Sequence, residues 1–154
     1  MVSDSMTELS ARIQRTTDRM IMLKLHMIRA RGLMAYQYGI LRYLDMHGKQ
    51  KISDLALFIN VKKPTITGIV DTLEEMGLVA RTHISGDRRV ALVDVTDTGH
   101  KFLSSLEDEM SNTILAGLQE VEPACRSELI QLLDAIGLRA TEFLKRDLVK
   151  TVKK

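Results

Sequence analysis

The stretch from Ile52 to Val95 leaves this chain the least freedom, because the period of its hydrophobic pattern changes within it. Ser53 can accept an orphan amide proton of a first helical turn, so a short helix is expected through Asp54, Leu55, Ala56, Leu57 and Phe58. Asn60-Val61 breaks it. Pro64 fits the first position of a second helix, where its missing N–H costs nothing. In that helix Ile66, Ile69, Val70, Leu73 and Met76 recur at three- and four-residue spacings and form a buried stripe, until Gly77 closes it as a left-handed cap. Lys63, Thr65, Thr67, Gly68, Asp71 and Thr72 are then expected on the outside. These short, mostly polar side chains leave room for something flat to approach.

Two β-rich runs follow, Val79 to Ile84 and Val90 to Val95, separated by Ser85-Gly86-Asp87-Arg88-Arg89. They predict a hairpin with a basic tip. Thr96 can cap the next helix, with Asp97 in its first turn where the helix dipole favours an acid, and that helix is expected to run to about Leu118. After Glu122-Pro123, Leu129, Leu132, Leu133, Ile136, Leu138 and Phe143 mark a last helix that frays into Lys150 to Lys154. Upstream, Leu9, Ile13, Met20, Leu25 and Ile28 predict one long amphipathic helix from about Thr7 to Arg29, ended by Gly32. A further helix covers about Ala35 to Met46, with Ile40, Leu41 and Leu44 on one side and His47-Gly48 as its stop. The fold class is therefore mainly α with a small β-hairpin wing, an α+β arrangement.

Short helix, tight turn, helix with a small polar outer face, and then a hairpin with arginines at its tip make a DNA-reading device. The residues themselves resemble a known family. Ile52-Ser53-Asp54-Leu55-Ala56, Val61-Lys62-Lys63-Pro64-Thr65-Ile66-Thr67 and Val70-Asp71-Thr72-Leu73-Glu74-Glu75-Met76-Gly77-Leu78-Val79 are similar to the MarR (multiple antibiotic resistance regulator) family of winged helix-turn-helix transcription regulators. So are Gly86-Asp87-Arg88-Arg89 and Asp94-Val95-Thr96-Asp97-Thr98-Gly99, which match the family's wing and the entry to its next helix. The motif detail covers about residues 33 to 103, and the flanking helices match in layout.

The resemblance implies an N-terminal dimerisation helix over 1–34, a winged helix-turn-helix lobe over 35–100 and C-terminal dimerisation helices over 101–154, in one continuous domain. It implies that Lys62, Lys63, Pro64, Thr65, Thr67 and Gly68 meet double-stranded DNA. Lysines would mainly take phosphates, and threonines base edges and thymine methyls. In the wing, Arg89 would enter the minor groove, held by Asp87, while Arg88 takes backbone phosphate. A homodimer on a near-palindromic operator follows, and a repressor released by a small effector is the family's usual mode. Gly68 and Thr72 stand where many members carry arginine, which removes two DNA contacts, and Gly68 costs the helix about 1 kcal/mol relative to alanine.

Composition is consistent with this and excludes other classes. The chain is 45% hydrophobic and 27% charged, near the globular average. No run approaches the roughly 20 apolar residues of a membrane span, and Met1 to Ser10 is polar and unlike a secretory signal, so a cytoplasmic protein is expected. Net charge is only +2, but it is uneven: bases dominate Ala11 to Arg31, and acids dominate Lys101 to Glu128. Solvated helix faces account for most of those charges equally well. His26, His47, His83 and His100 have no metal-ligand spacing, and no cofactor is expected. Neither a nucleophile with its base, nor paired inward carboxylates, nor a glycine-rich phosphate loop is present, so no enzyme is expected. Met27, Met34, Tyr36 and Tyr38 form either plastic core or a pliable pocket for an apolar or aromatic effector. Two other readings remain open: a redox-responsive regulator through the single cysteine, Cys125, and a winged-helix protein-interaction module that does not bind DNA.

Overall fold

The computed structural model describes the backbone of residues 2–84 and 87–151 and the side chains of residues 5–82 and 91–143. Its elements, in chain order, are α1 (Val2–Ala30), α2 (Ala35–His47), β1 (Gln50–Lys51), α3 (Ile52–Phe58), α4 (Lys63–Glu75), β2 (Val79–Ile84), β3 (Asp87–Val95), α5 (Asp97–Leu118), a 3-10 turn (Pro123–Cys125) and α6 (Arg126–Thr151). Met1–Met110 form one compact unit and Ser111–Lys154 a second.

The first unit is built on a core in which Ile40, Leu41, Leu55, Ile66, Val70, Leu73, Val93 and Leu106 are fully buried. The 3.6-residue spacing of Ile66, Val70 and Leu73 is what holds α4 against that core. Asn60 is the described non-glycine residue with positive φ, at 54°. It ends α3 through paired bonds, Val61 N–H to the Ala56 carbonyl at 2.9 Å and Asn60 N–H to that of Leu57 at 3.2 Å. Gly77, at φ 71°, ends α4 by the same geometry, with Leu78 N–H on the Leu73 carbonyl and Gly77 N–H on that of Glu74, both at 2.9 Å. The turn between the two helices and the stop after the second are thus one device used twice.

The β-hairpin is part of a three-stranded antiparallel sheet of order β1-β3-β2. The sequence reading missed β1, a two-residue strand with Gln50 opposite Val93 and Lys51 opposite Leu92. This strand corrects the expected cap of α3. The chain passes from extended Lys51 (φ −73°, ψ 149°) directly into the helix at Ile52. Ser53 therefore lies inside the first turn, where its hydroxyl donates to Asp54 Oδ1 at 3.2 Å. Likewise α4 begins at Lys63, so Pro64 occupies its second position.

Thr96 caps α5 as expected, its hydroxyl oxygen accepting the Gly99 N–H at 3.0 Å. The same hydroxyl donates to the Gly77 carbonyl at 2.6 Å, tying the start of α5 to the end of α4. Gly99 is required there: a Cβ would lie 2.6 Å from Val95 Cγ1 and against the Leu78 carbonyl oxygen.

Part of the expected charge asymmetry is neutralised locally. Glu8 pairs with Arg12 at 2.7 Å and Arg15 at 3.5 Å, Arg42 pairs with Glu107 at 2.6 Å, and Arg31 pairs with Glu109. Within the second unit, α6 exposes Ile130, Leu132, Leu133, Ile136, Leu138 and Phe143. Among the described residues, no helix is long and apolar enough to cross a membrane.

Candidate nucleic-acid interface

Helix α4 presents three faces. Ile66, Val70 and Leu73 are buried; Thr67, Asp71 and Glu74 are half-buried beside β2; Pro64, Thr65, Gly68, Thr72 and Glu75 are exposed. Lys62 and Lys63, also exposed, stand at the helix N-terminus, where the dipole adds to their positive charge. This concentrates positive potential at one end of a face built from small side chains. Gly68 lies at its centre, and a Cβ added there would meet nothing within 4 Å. Packing inside the protein therefore does not require glycine at this position.

The threonines are oriented by the helix itself. Thr67 Oγ1 donates to the Lys63 carbonyl at 2.9 Å and Thr72 Oγ1 to the Gly68 carbonyl at 3.0 Å. With each proton turned back to the backbone, these side chains offer outward an acceptor oxygen and a methyl group, the latter suited to a thymine methyl.

Asp71 departs from its expected outward placement. It faces Arg81 on β2, whose guanidinium binds both Asp71 and Glu74, with Glu74 Oε2 at 2.7 Å. Arg81 was not singled out from sequence. A basic residue three places after Gly77-Leu78 in a β-rich run carries no motif signal, although Asp71 and Glu74 at i, i+3 share one side of the helix.

Asp87, Arg88 and Arg89 open β3. Ser85, Gly86 and these three side chains lie outside the described residues, and so does the expected Asp87–Arg89 pair. The backbone register slips here: His83 faces Ala91, and Ile84 faces Asp87. Along the backbone, Arg88 and Arg89 fall within that irregular step.

Of the four expected effector-pocket residues, Met34 and Tyr36 line a cavity of about 500 Å3, together with Met22, Leu25, His26 and Arg29. Met27 and Tyr38 are buried elsewhere, Tyr38 with Lys24 Nζ 5.1 Å from its ring centre. His26 and Arg29 give this largely apolar cavity a polar, cationic side that the sequence reading did not assign. No group of three or more His, Cys, Asp or Glu placed to hold a metal ion occurs among the described residues. Cys125 is exposed and is not in a disulfide.

Two short helices joined by a tight turn, followed by a hairpin in a three-stranded sheet, define a winged helix-turn-helix fold. Residues 33–91 match the model of the MarR family. The chain is 34% identical, over 99 residues, to the HTH-type transcriptional repressor MdtR of Bacillus subtilis, a stretch covering 64% of this chain and 61% of that protein. It thus spans about three fifths of that relative's length. The YusO protein of Bacillus subtilis has the same fold, with a TM-score of 0.74 and 24% identity over 92% of this chain and 98% of that one. A MepR-like protein complexed with pseudoligands superposes with a TM-score of 0.53 at 27% identity, covering 86% of this chain and 92% of its own. Residues 33–91 are therefore similar to the MarR family, and the relatives that the chain matches are named as transcriptional regulators.

Proposed function

We propose that this protein is a cytoplasmic transcription regulator that binds duplex DNA as a homodimer, with α4 in the major groove and the β2–β3 hairpin alongside. The observation that carries this reading is the exposed face of α4: Thr65, Gly68 and Thr72 in one stripe, headed by Lys62 and Lys63. In this role the lysines take phosphates, Pro64, at the second position of the helix, lies close to the DNA backbone, and Thr65 and Thr67 meet base edges. Arg89 enters the minor groove beside Asp87, and Arg88 takes phosphate.

Dimerisation is supported by apolar surface that one chain leaves uncovered. In the second unit Ile130 and Leu133 are each 58% exposed, and in the first Met22 is 66% and Ile21 51% exposed. Residues 1–34 and 101–154 are assigned to that interface and 35–100 to DNA. A two-fold dimer sets its recognition helices about 34 Å apart, so the operator is a near-palindrome.

Repression is the direction supported by the relative named a repressor. Release follows if an effector binds better to a conformation whose lobe spacing misses the operator, by no more than its differential affinity. The cavity bounded by Met34, Tyr36 and Arg29 is the site assigned to that effector.

Selection of bound duplexes from a random pool tests the reading. Enrichment of a near-palindrome with half-sites one helical turn apart supports it. Failure to enrich any sequence leaves a protein-interaction winged helix as the function.

A further inference from the structure

Arginine 81 lies on β2, an edge strand of the sheet, yet its side chain is only 22% exposed. One amino group of its guanidinium donates to Glu74 Oε2 at 2.7 Å; the other donates to Asp71 Oδ1 and to the Thr67 carbonyl, the latter at 3.3 Å. Its backbone N–H, free on the outer edge of the strand, donates to Glu74 Oε1 at 3.1 Å. The acceptors sit at i, i+4 and i+7 of α4, so one side chain grips a stripe two turns long.

That grip supplies what core packing does not. Ile66, Val70 and Leu73 hold α4 on the core by non-directional contact, which fixes where the helix lies more firmly than how it is rotated about its axis. Hydrogen bonds are directional and fail within a few tenths of an ångström. At the roughly 5–6 Å radius of a helix surface, a rotation of about 20° moves a side-chain tip by about 2 Å, enough to lose a base contact. The planar fork of arginine can satisfy two carboxylates at once, and a lysine ammonium cannot reproduce its geometry.

We propose that Arg81 is a positioning residue for DNA readout: it sets the rotation of α4 and hence which base edges the Thr65–Gly68–Thr72 face reaches, without itself touching DNA. This rests on the DNA-binding reading above. Arg81 also neutralises two carboxylates beside a surface that meets a polyanion, and the test separates that effect from positioning.

The Arg81→Gln, Asp71→Asn double variant severs the clamp and leaves the formal charge of the cluster unchanged. Full-length protein is titrated by fluorescence anisotropy with the selected operator and with a shuffled duplex, across a salt series. The expected result is a fall of about tenfold in the operator-to-shuffled affinity ratio, the size of one lost base contact. Affinity for the shuffled duplex and the slope of log affinity against log salt stay as in wild type, and Arg81→Lys falls between. A lowered melting temperature with the ratio intact overturns the proposal in favour of a role in folding alone. Weaker binding to both duplexes with a slope reduced by about one per subunit overturns it in favour of a phosphate contact. If the double variant does not fold, Asp71→Asn alone, at a side chain 47% exposed, decides: a reduced ratio at unchanged slope supports positioning, and an unchanged ratio overturns it. A wild-type protein with no operator preference removes the DNA reading and this inference with it, an outcome distinct from a wild-type preference that the variants retain.

Discussion

Replacing Gly68 by alanine should move stability and DNA binding in opposite directions. Gly68 is an interior residue of α4, its φ is not positive, and a Cβ placed on it meets nothing within 4 Å. Alanine there costs no strain and loses less backbone entropy on folding, a gain of about 0.5–1 kcal/mol. For a chain of this size that raises the melting temperature by about 1–4 °C. The same methyl group lies on the face proposed to enter the major groove, between Thr65 and Thr72. Tight packing there tolerates added volume poorly, at about 1–3 kcal/mol, so operator affinity should fall by roughly 5- to 150-fold. Thermal melting by circular dichroism and anisotropy titration, on the same preparation, read both quantities. A stabilised variant with unchanged affinity would refute the placement of this face against DNA. A destabilised variant would refute the account of α4 as an unstrained helix at that position.

Three further outcomes follow from the packing. Gly99→Ala forces a methyl against the Leu78 carbonyl oxygen and Val95, and should lower stability by about 1–3 kcal/mol in chemical denaturation, whatever its effect on helix propensity. Thr96→Ala removes both the cap of α5 and its tie to Gly77, and should cost about 1–2 kcal/mol by the same measurement. Leu133→Glu, 58% exposed in the single chain, should leave secondary structure intact while the sedimentation mass falls from dimer to monomer, because the interface would bury an unpaired carboxylate. A variant that remains a dimer would exclude that part of α6 from the interface.

Much of this architecture is legible in the sequence because its signals are local. The stripe Ile66, Val70, Leu73 gives helix α4, Asn60 and Gly77 mark the turns before and after it, and Thr96 followed by Asp97 gives the start of α5. Features that depend on distant partners were not legible. Strand β1 is two residues long and exists through pairing with β3, some forty positions later, so no period announces it; its presence also displaces the cap position of α3 from Ser53 to Lys51. Asp71 reads as outward on a helical projection, and only the approach of β2 turns it into a partner for Arg81. The cavity shows the same limit. Tyr36 and Tyr38 are two residues apart and face different surroundings on one helix, so composition alone could not separate the cavity residue from the core one.

Binding of the full-length protein to duplexes from upstream of its own gene, against a shuffled control, tests the central claim most directly. Anisotropy would be followed at several salt concentrations, with Arg89→Ala in parallel. The account predicts tighter binding to the native duplex, a steep loss of affinity with salt, and a large further loss in the variant. Equal weak binding to both duplexes, unaffected by Arg89→Ala, would contradict it.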